Sequence, residues 1–169
     1  MTLFKMMYDR NDIPASLTSN RRLVWKTVID SIDLQFYLPL FVDGLQLKEQ
    51  PYATIAYLGC VDLITKGKNF EQTFPSIIVP LKKSLNIKNG KIQKRSLKIL
   101  QLIASTGKGG EEFIPYLRQV LPLLNRHYLG SLREEVEATL NLFVVYGGVN
   151  AYKNIKYAIP RFDYVFSIE

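Results

Sequence analysis

The sequence of 169 residues is poor in the residue types that most often carry chemistry, with one cysteine and one histidine. A single cysteine cannot form an internal disulfide. Cys60 lies among apolar neighbours in "YLGCVDLI", which predicts a buried structural thiol in a reducing, intracellular compartment. His127 and Cys60 have no neighbours at zinc-ligand spacing. We therefore expect no metal and no cofactor.

Long apolar runs are also missing. No stretch reaches the roughly 18 apolar residues that a membrane-spanning helix requires, so we expect no membrane span, and no membrane is among the partners that we predict. The opening "MTLFKMMYDRND" carries two acids among its first residues and has no apolar core, so we expect no secretory signal.

Acidic residues are absent from the middle of the chain. No Asp or Glu occurs between Glu71 and Glu111, whereas that interval holds eight basic residues. The formal net charge is +7, and this interval accounts for the whole basic excess. A concentrated charge of one sign indicates a partner of opposite sign more strongly than an even surface charge does.

Two markers repeat along the chain with a similar period. Gly67, Gly107 and Gly147 follow one another at equal intervals. The prolines of the "LPL", "VPL", "LPL" and "IPR" triplets recur at nearly the same interval, at Pro39, Pro80, Pro122 and Pro160. A period of about 40 residues is typical of helical repeats of the HEAT and armadillo type.

The stretches between these markers have helical patterns. In "NGKIQKRSLKILQLIASTG", Ile92, Ile99 and Ile103 fall on one face and Gly107 ends the helix. In "SLREEVEATLNLFVVYGG", Ser131 and Glu134 have capping-box spacing, and Gly147 stands where a left-handed residue would close the helix. Each glycine would then close the second helix of a pair, and each Pro-Leu would lie in the first helix.

The sequence therefore predicts an all-α fold, an armadillo- or HEAT-like right-handed solenoid of about three and a half helix-pair repeats. We expect one domain over residues 1–169. It comprises an extended N-terminal arm or cap over 1–30, helix pairs over 34–66, 70–106 and 111–146, and a half-repeat with a tail over 150–169. Alternating apolar residues in "FDYVFSIE" predict that the tail is extended.

The stretch "STGKGGEEF" at 105–113 superficially resembles a phosphate-binding loop. A Walker-type loop needs a glycine where Leu102 stands and a Ser or Thr where Gly109 stands, and it follows a strand. We interpret these glycines as the end of one helix and the connection to the next. The acids Glu134, Glu135 and Glu137 lie in the first turns of a predicted helix, where the helix dipole favours them. No catalytic constellation is found, and we expect no enzyme.

The basic interval is the candidate binding site. Lys91, Lys94, Arg95 and Lys98 are predicted to lie on one helix face, opposite the apolar face. Lys82, Lys83 and Lys88 precede them. This cluster is either a solvated face that keeps the protein soluble or a docking surface for an acidic partner such as a protein polymer, nucleic acid or lipid head groups.

Several blocks of the sequence are distinctive: "FKMMYDRNDIPASL" at 4–17, "YLPLFVDGL" at 37–45, "PYATIAYLG" at 51–59, "IVPLKKSLNIKN" at 78–89, "PYLRQVLPLLN" at 115–125 and "YGGVNAYKNIKYAIP" at 146–160. Together they resemble the Parkin co-regulated protein family. The resemblance is collinear over nearly the whole chain. The link between Asn125 and Ser131 is short compared with the longer polar loop of some members.

The resemblance implies an armadillo-like domain without enzymatic activity, in the cytoskeleton of cilia and flagella. Family members bind α/β-tubulin at the inner junction, where the A- and B-tubules of the axonemal doublet meet, beside a small β-sandwich protein and other axonemal proteins. Tubulin surfaces are acidic, so we assign Lys82, Lys83, Lys88, Lys91, Lys94, Arg95 and Lys98 to tubulin binding as a hypothesis. The alternative is a basic helical-repeat protein that binds nucleic acid, although the family implies no nucleic-acid partner.

Overall fold

The computed structural model describes residues 1–164, and most of these residues are helical. The two described strands form one short antiparallel hairpin, with Ala15 opposite Trp25 and Leu17 opposite Leu23. The all-α class is therefore confirmed apart from this hairpin. The elements are α1 (Leu3–Asp9), β1 (Ala15–Leu17), β2 (Leu23–Trp25), α2 (Leu34–Asp43), α3 (Tyr52–Lys66), α4 (Phe74–Asn86), α5 (Gly90–Ser105), α6 (Gly109–Glu112), α7 (Ile114–Tyr128) and α8 (Arg133–Ala158).

The chain forms two compact units, Met1–Ile99 and Leu100–Glu169. The core of the first unit lies where α2 packs against α3 and α4. Phe41 of α2 is fully buried there, with its ring centroid 5.2 Å from that of Phe4 and 5.5 Å from that of Trp25. The N-terminal residues therefore cover the first helix pair through aromatic packing.

Of the two alternatives predicted for residues 1–30, an extended arm or a cap, the extended arm does not describe Leu3–Asp9. Leu3–Asp9 is helical, and Thr2 caps the helix by accepting a hydrogen bond from the Lys5 N–H at 3.1 Å. The hairpin follows, and the indole Nε1 of Trp25 donates a hydrogen bond to Asp62 Oδ2 at 2.8 Å. Helical periodicity is hard to detect over a helix of 7 residues, since it covers only about two turns.

In the second unit, α6 and α7 pack against α8. The rings of Phe113 and Phe143 stack with centroids 5.6 Å apart, and both are fully buried. Phe162 is also fully buried, although Phe162–Tyr164 belong to no helix or strand. The rest of the tail, predicted to be extended, lies outside the described residues.

The repeating markers are confirmed at most of their positions. Pro39, Pro80 and Pro122 each lie inside a helix, α2, α4 and α7 respectively. Gly67 ends α3, and Gly107 follows the end of α5 with a φ of 52°. The predicted pairs at 34–66 and 70–106 contain α2 with α3 and α4 with α5.

Two details of the third pair are wrong. The helix continues through Gly147, and the left-handed residue is Gly148, with a φ of 71° and a ψ of −155°. This backbone conformation is essentially restricted to glycine. Gly148 therefore divides α8 into two helices that meet at a kink, and the second of them corresponds to the half-repeat predicted from about residue 150. The capping box is also wrong, because α8 begins after Leu132 and no side chain caps it.

Candidate partner-binding surfaces

Helix α5 presents the basic residues that the sequence predicts for binding. Its start is fixed by Asn89, whose Oδ1 accepts hydrogen bonds from the N–H groups of Lys91 at 3.1 Å and Ile92 at 3.2 Å. Ile92, Ile99 and Ile103 are buried as predicted. Since the apolar residues anchor one side of the helix, the opposite side is turned towards solvent.

Three lysines of α5 form an exposed row, which we call the lysine face: Lys91, Lys94 and Lys98. Their spacing of three and four residues places them on one side of the helix. Within the described residues, neither Lys91 nor Lys98 has an acidic side chain at ion-pair distance. The face can therefore attract an acidic partner without first breaking ion pairs at these two positions.

The preceding basic residues have varied surroundings. Lys88 is exposed in the turn before α5, and Lys82 is half-buried on α4. Lys83 is exposed at the rim of a groove of about 750 Å³ that is also lined by Asp43 and Glu49. The two carboxylates partly offset its charge, so Lys83 differs electrostatically from the lysine face.

Arg95 does not share the exposure of the lysine face. Its side chain is half-buried, and Nη2 donates a hydrogen bond to the carbonyl oxygen of Leu47 at 3.2 Å. Nε is buried without a hydrogen-bond partner among the described residues. Burial lowers the pKa of the guanidinium, and Tyr57 partly opposes this effect. Arg95 therefore holds the segment after α2 and contributes little to an outward basic surface.

The groove at Lys83 lies beside a polar cluster that the sequence analysis did not identify. Lys5 Nζ donates to Glu49 Oε2 at 2.8 Å, and the Tyr52 hydroxyl donates to Asp9 Oδ1 at 2.6 Å. These contacts raise the pKa values of Lys5 and Tyr52 and lower the pKa of Glu49. The partners of each pair are far apart in sequence, so no local pattern reveals them.

A second unpredicted feature is a cleft of about 630 Å³ between α7 and α8, which we call the α7–α8 cleft. Arg118, Lys153 and Tyr157 line it together with Leu121 and Pro122. Tyr157 is 92% exposed. An aromatic residue at a polar position of a helix is the sequence signal that could have indicated this surface contact, and the sequence analysis did not use it.

The remaining candidate residues have structural surroundings. Cys60 is fully buried, and burial raises the pKa of its thiol, so the prediction of a structural cysteine is confirmed. His127 lies in the last turn of α7. Over residues 1–164 we find no group of three or more His, Cys, Asp or Glu side chains placed to hold a metal ion. No helix within that range is long and apolar enough to cross a membrane.

The fold and these surfaces define a small helical protein with a lysine-rich helix face and two open grooves. A family model described as "Parkin co-regulated protein" matches residues 2–164. A relative from Mus musculus, "Parkin coregulated gene protein homolog", is 36% identical in an alignment 186 residues long. The alignment covers 96% of this chain and 76% of the relative. The chain belongs to the Parkin co-regulated protein family, and the resemblance found in the sequence is confirmed.

Proposed function

We propose that this protein is a non-catalytic structural protein of ciliary and flagellar axonemes that binds α/β-tubulin. In this proposal it acts at the inner junction of the doublet microtubule, beside a small β-sandwich protein and other axonemal proteins. Membership of the Parkin co-regulated protein family supports the assignment. The observation that carries the binding role is the lysine face of α5, exposed along one side of a helix.

The proposal includes the repeat type of the fold. The pairs α2 with α3 and α4 with α5 are proposed to be armadillo-like repeats of a right-handed solenoid. The support is the recurrence of a proline inside the first helix of each pair, at Pro39 and Pro80, and again at Pro122 in α7. An experimental structure in which successive pairs superpose with a constant right-handed rotation would test this part of the proposal.

A lysine row suits tubulin for electrostatic reasons. Acidic surfaces attract a basic face over about a Debye length, roughly 8 Å at physiological ionic strength. Such complementarity mainly speeds association and fixes orientation, while buried contacts supply much of the affinity. The lysine face is therefore expected to determine how the protein approaches the microtubule, and its effect should weaken as salt is added.

The direct test is co-sedimentation with microtubules of the triple variant Lys91→Glu, Lys94→Glu and Lys98→Glu. We expect roughly tenfold weaker binding at low salt, because each exposed pair contributes a few tenths to about 1 kcal/mol and reversal adds repulsion. Arg95 is kept, since it holds the backbone of Leu47. Circular dichroism of the variant should match that of the wild type.

The matched control reverses the same number of exposed charges elsewhere, with Lys48→Glu, Lys68→Glu and Arg161→Glu. This control should co-sediment almost as well as the wild type. Equal loss in both triple variants would show that net charge, and not the lysine face, governs binding. Undiminished binding of the α5 variant would remove the lysine face from the mechanism. Imaging of doublets with and without this chain tests the inner-junction location itself.

Nucleic acid is a second candidate partner, because the lysine face could also bind an acidic phosphate backbone. Binding to duplex DNA would weaken steeply with salt, with a log-log slope of about −0.9 for each phosphate contacted. A titration of DNA and RNA beside microtubules at matched ionic strength separates the two candidates. Stronger binding to nucleic acid than to microtubules would favour this alternative.

A further inference from the structure

The α7–α8 cleft has the features of a binding site for a peptide segment. Its floor includes Leu121 and Pro122 of α7 and Ala158 of α8, and Tyr157 stands beside them with its ring in solvent. An aromatic side chain that is 92% exposed does not contribute to the apolar core. Aromatic residues are enriched at the centres of protein interfaces, where they provide a large contact area at low entropic cost.

The positive charge of the cleft favours a negatively charged partner. Arg118 and Lys153 both line it, and none of the described residues that line it is acidic. Arg118 is oriented by a hydrogen bond from its Nε to Asn154 Oδ1 at 3.3 Å, and Asn154 Nδ2 donates to the carbonyl oxygen of Asn150 at 2.7 Å. The guanidinium is thus held on the α8 side of the cleft, where a carboxylate of a partner could reach it.

Pro122 adds a backbone feature on the same side of α7. A proline inside a helix has no N–H to give to the carbonyl four residues earlier, which here is the carbonyl of Arg118. The ring of Pro122 lines the cleft, which therefore combines two cations with an apolar floor.

We propose that the α7–α8 cleft is a second docking site, separate from the lysine face, for an acidic peptide segment that carries an apolar side chain. The apolar side chain packs against Tyr157 and the floor at Leu121 and Pro122. Acidic side chains of the segment pair with Arg118 and Lys153. A volume of about 630 Å³ accommodates a few side chains of an extended segment.

The probe for this proposal is a synthetic peptide of the sequence Glu-Phe-Glu-Glu-Leu-Glu with blocked ends. Amide chemical shifts of the isotope-labelled full chain are followed as the peptide is added. We expect the largest shifts around Arg118 to Pro122 and around Lys153 to Ala158. A peptide with Lys at each Glu position, and a second with Ala in place of Phe and Leu, should cause much smaller shifts.

Two variants test the roles of the side chains. Tyr157→Ala and the double variant Arg118→Glu with Lys153→Glu should each weaken peptide binding by about tenfold or more. These side chains are exposed, so both variants should keep the wild-type circular dichroism spectrum. The triple variant of the lysine face should bind the peptide like the wild type, which separates this proposal from the tubulin-binding proposal.

Several outcomes would overturn the proposal. Shifts that map to α5 would assign the acidic peptide to the lysine face. Equal affinity for the acidic and basic peptides, or an unchanged affinity in both cleft variants, would remove the cleft as a selective site. Concentration-dependent dimers that disappear in Tyr157→Ala would assign the cleft to a second copy of this chain.

Discussion

Residues of the same chemical type have different roles in this protein. Lys94 and Arg95 are neighbours in a basic stretch, yet Lys94 is exposed on the lysine face and Arg95 is half-buried against Leu47. The position of Arg95 explains the difference, because it lies three residues after Ile92 and four before Ile99, beside the buried side of α5. A long side chain at such a position can turn its charged end to a nearby backbone carbonyl.

We predict that Arg95→Ala destabilises the protein, whereas Lys98→Ala does not. Arg95→Ala removes the donor to the Leu47 carbonyl, which should lower the free energy of unfolding by about 1 to 3 kcal/mol. Urea unfolding followed by circular dichroism measures the difference. Lys98→Ala is the matched control on the same helix. Equal midpoints for the two variants would show that the Arg95 contact contributes nothing to stability.

At the scale of elements, α1 is attached to α3 and its preceding turn by polar and aromatic contacts. Lys5 pairs with Glu49, Asp9 accepts from Tyr52, and the Tyr8 and Tyr52 rings meet edge to face at 5.3 Å. Lys5 Nζ also lies 5.1 Å from the centroid of the Tyr52 ring. A helix of 7 residues is not stable alone in water, so these tertiary contacts determine whether α1 forms.

The attachment of α1 predicts a pH-dependent effect of Glu49→Gln. Lys5 lowers the pKa of Glu49 in the folded protein, so the ionised carboxylate stabilises the fold above its ordinary pKa. This contribution disappears as the pH falls through the lowered pKa. Glu49→Gln should therefore be slightly less stable than the wild type near neutral pH and equally stable in strong acid. Urea midpoints measured over this pH range check the prediction.

The control for this pH series is Glu112→Gln, at an exposed acid of α6. The raised pKa of Lys5 determines where the ion pair is lost at high pH. The stabilisation by protonated Lys5 persists through neutral pH and is lost as the pH rises through the raised pKa. A constant difference between wild type and Glu49→Gln from neutral to acidic pH would contradict the assigned ion pair.

At the scale of the molecule, each of the two compact units has its own apolar core. Phe4, Phe41 and Phe74 are buried in the first unit, and Phe113 and Phe143 are buried in the second. Cys60 lies in the first core and is fully buried. Because it is the chain's one cysteine, its thiol reports on the opening of the first unit alone.

We predict that Cys60 reacts at least about a thousandfold more slowly with a thiol reagent in the native protein than in urea, since reaction requires opening of a stable core. Burial also raises the pKa of the thiol, which lowers the reactive thiolate fraction. The rate is measured by absorbance with an aromatic disulfide reagent. The double variant Cys60→Ala with Lys98→Cys provides an exposed thiol as the control. Rapid native labelling of Cys60 would show that the first unit opens readily.

Several features of the fold could be predicted because they depend on local chemistry. The prolines inside α2, α4 and α7 and the glycines at the ends of α3 and α5 follow from the sequence period. The burial of Ile92, Ile99 and Ile103 follows from helical spacing. The exact kink residue, Gly148, could not be predicted. Gly147 and Gly148 both lack a Cβ, so either could adopt the positive φ of the kink, and the packing of α8 determines which one does.

The candidate sites were predictable to a smaller extent. The sequence located the lysine face, since an acid-free interval is visible in a list of residues. It did not separate Arg95 from the neighbouring lysines, and it did not identify the α7–α8 cleft. Arg118 and Lys153 are distant in sequence and meet only because α7 packs against α8.

The sequence by itself determined the helical class, the positions of the repeated prolines, the buried cysteine and the family to which the chain belongs. These properties depend on residue types and on spacing along one helix, which the order of residues specifies directly. Tertiary structure alone decided which charges face solvent, how α1 is held and where two helices leave a cleft. Such features depend on distances between segments far apart in sequence, and these distances are fixed only when the apolar faces pack together.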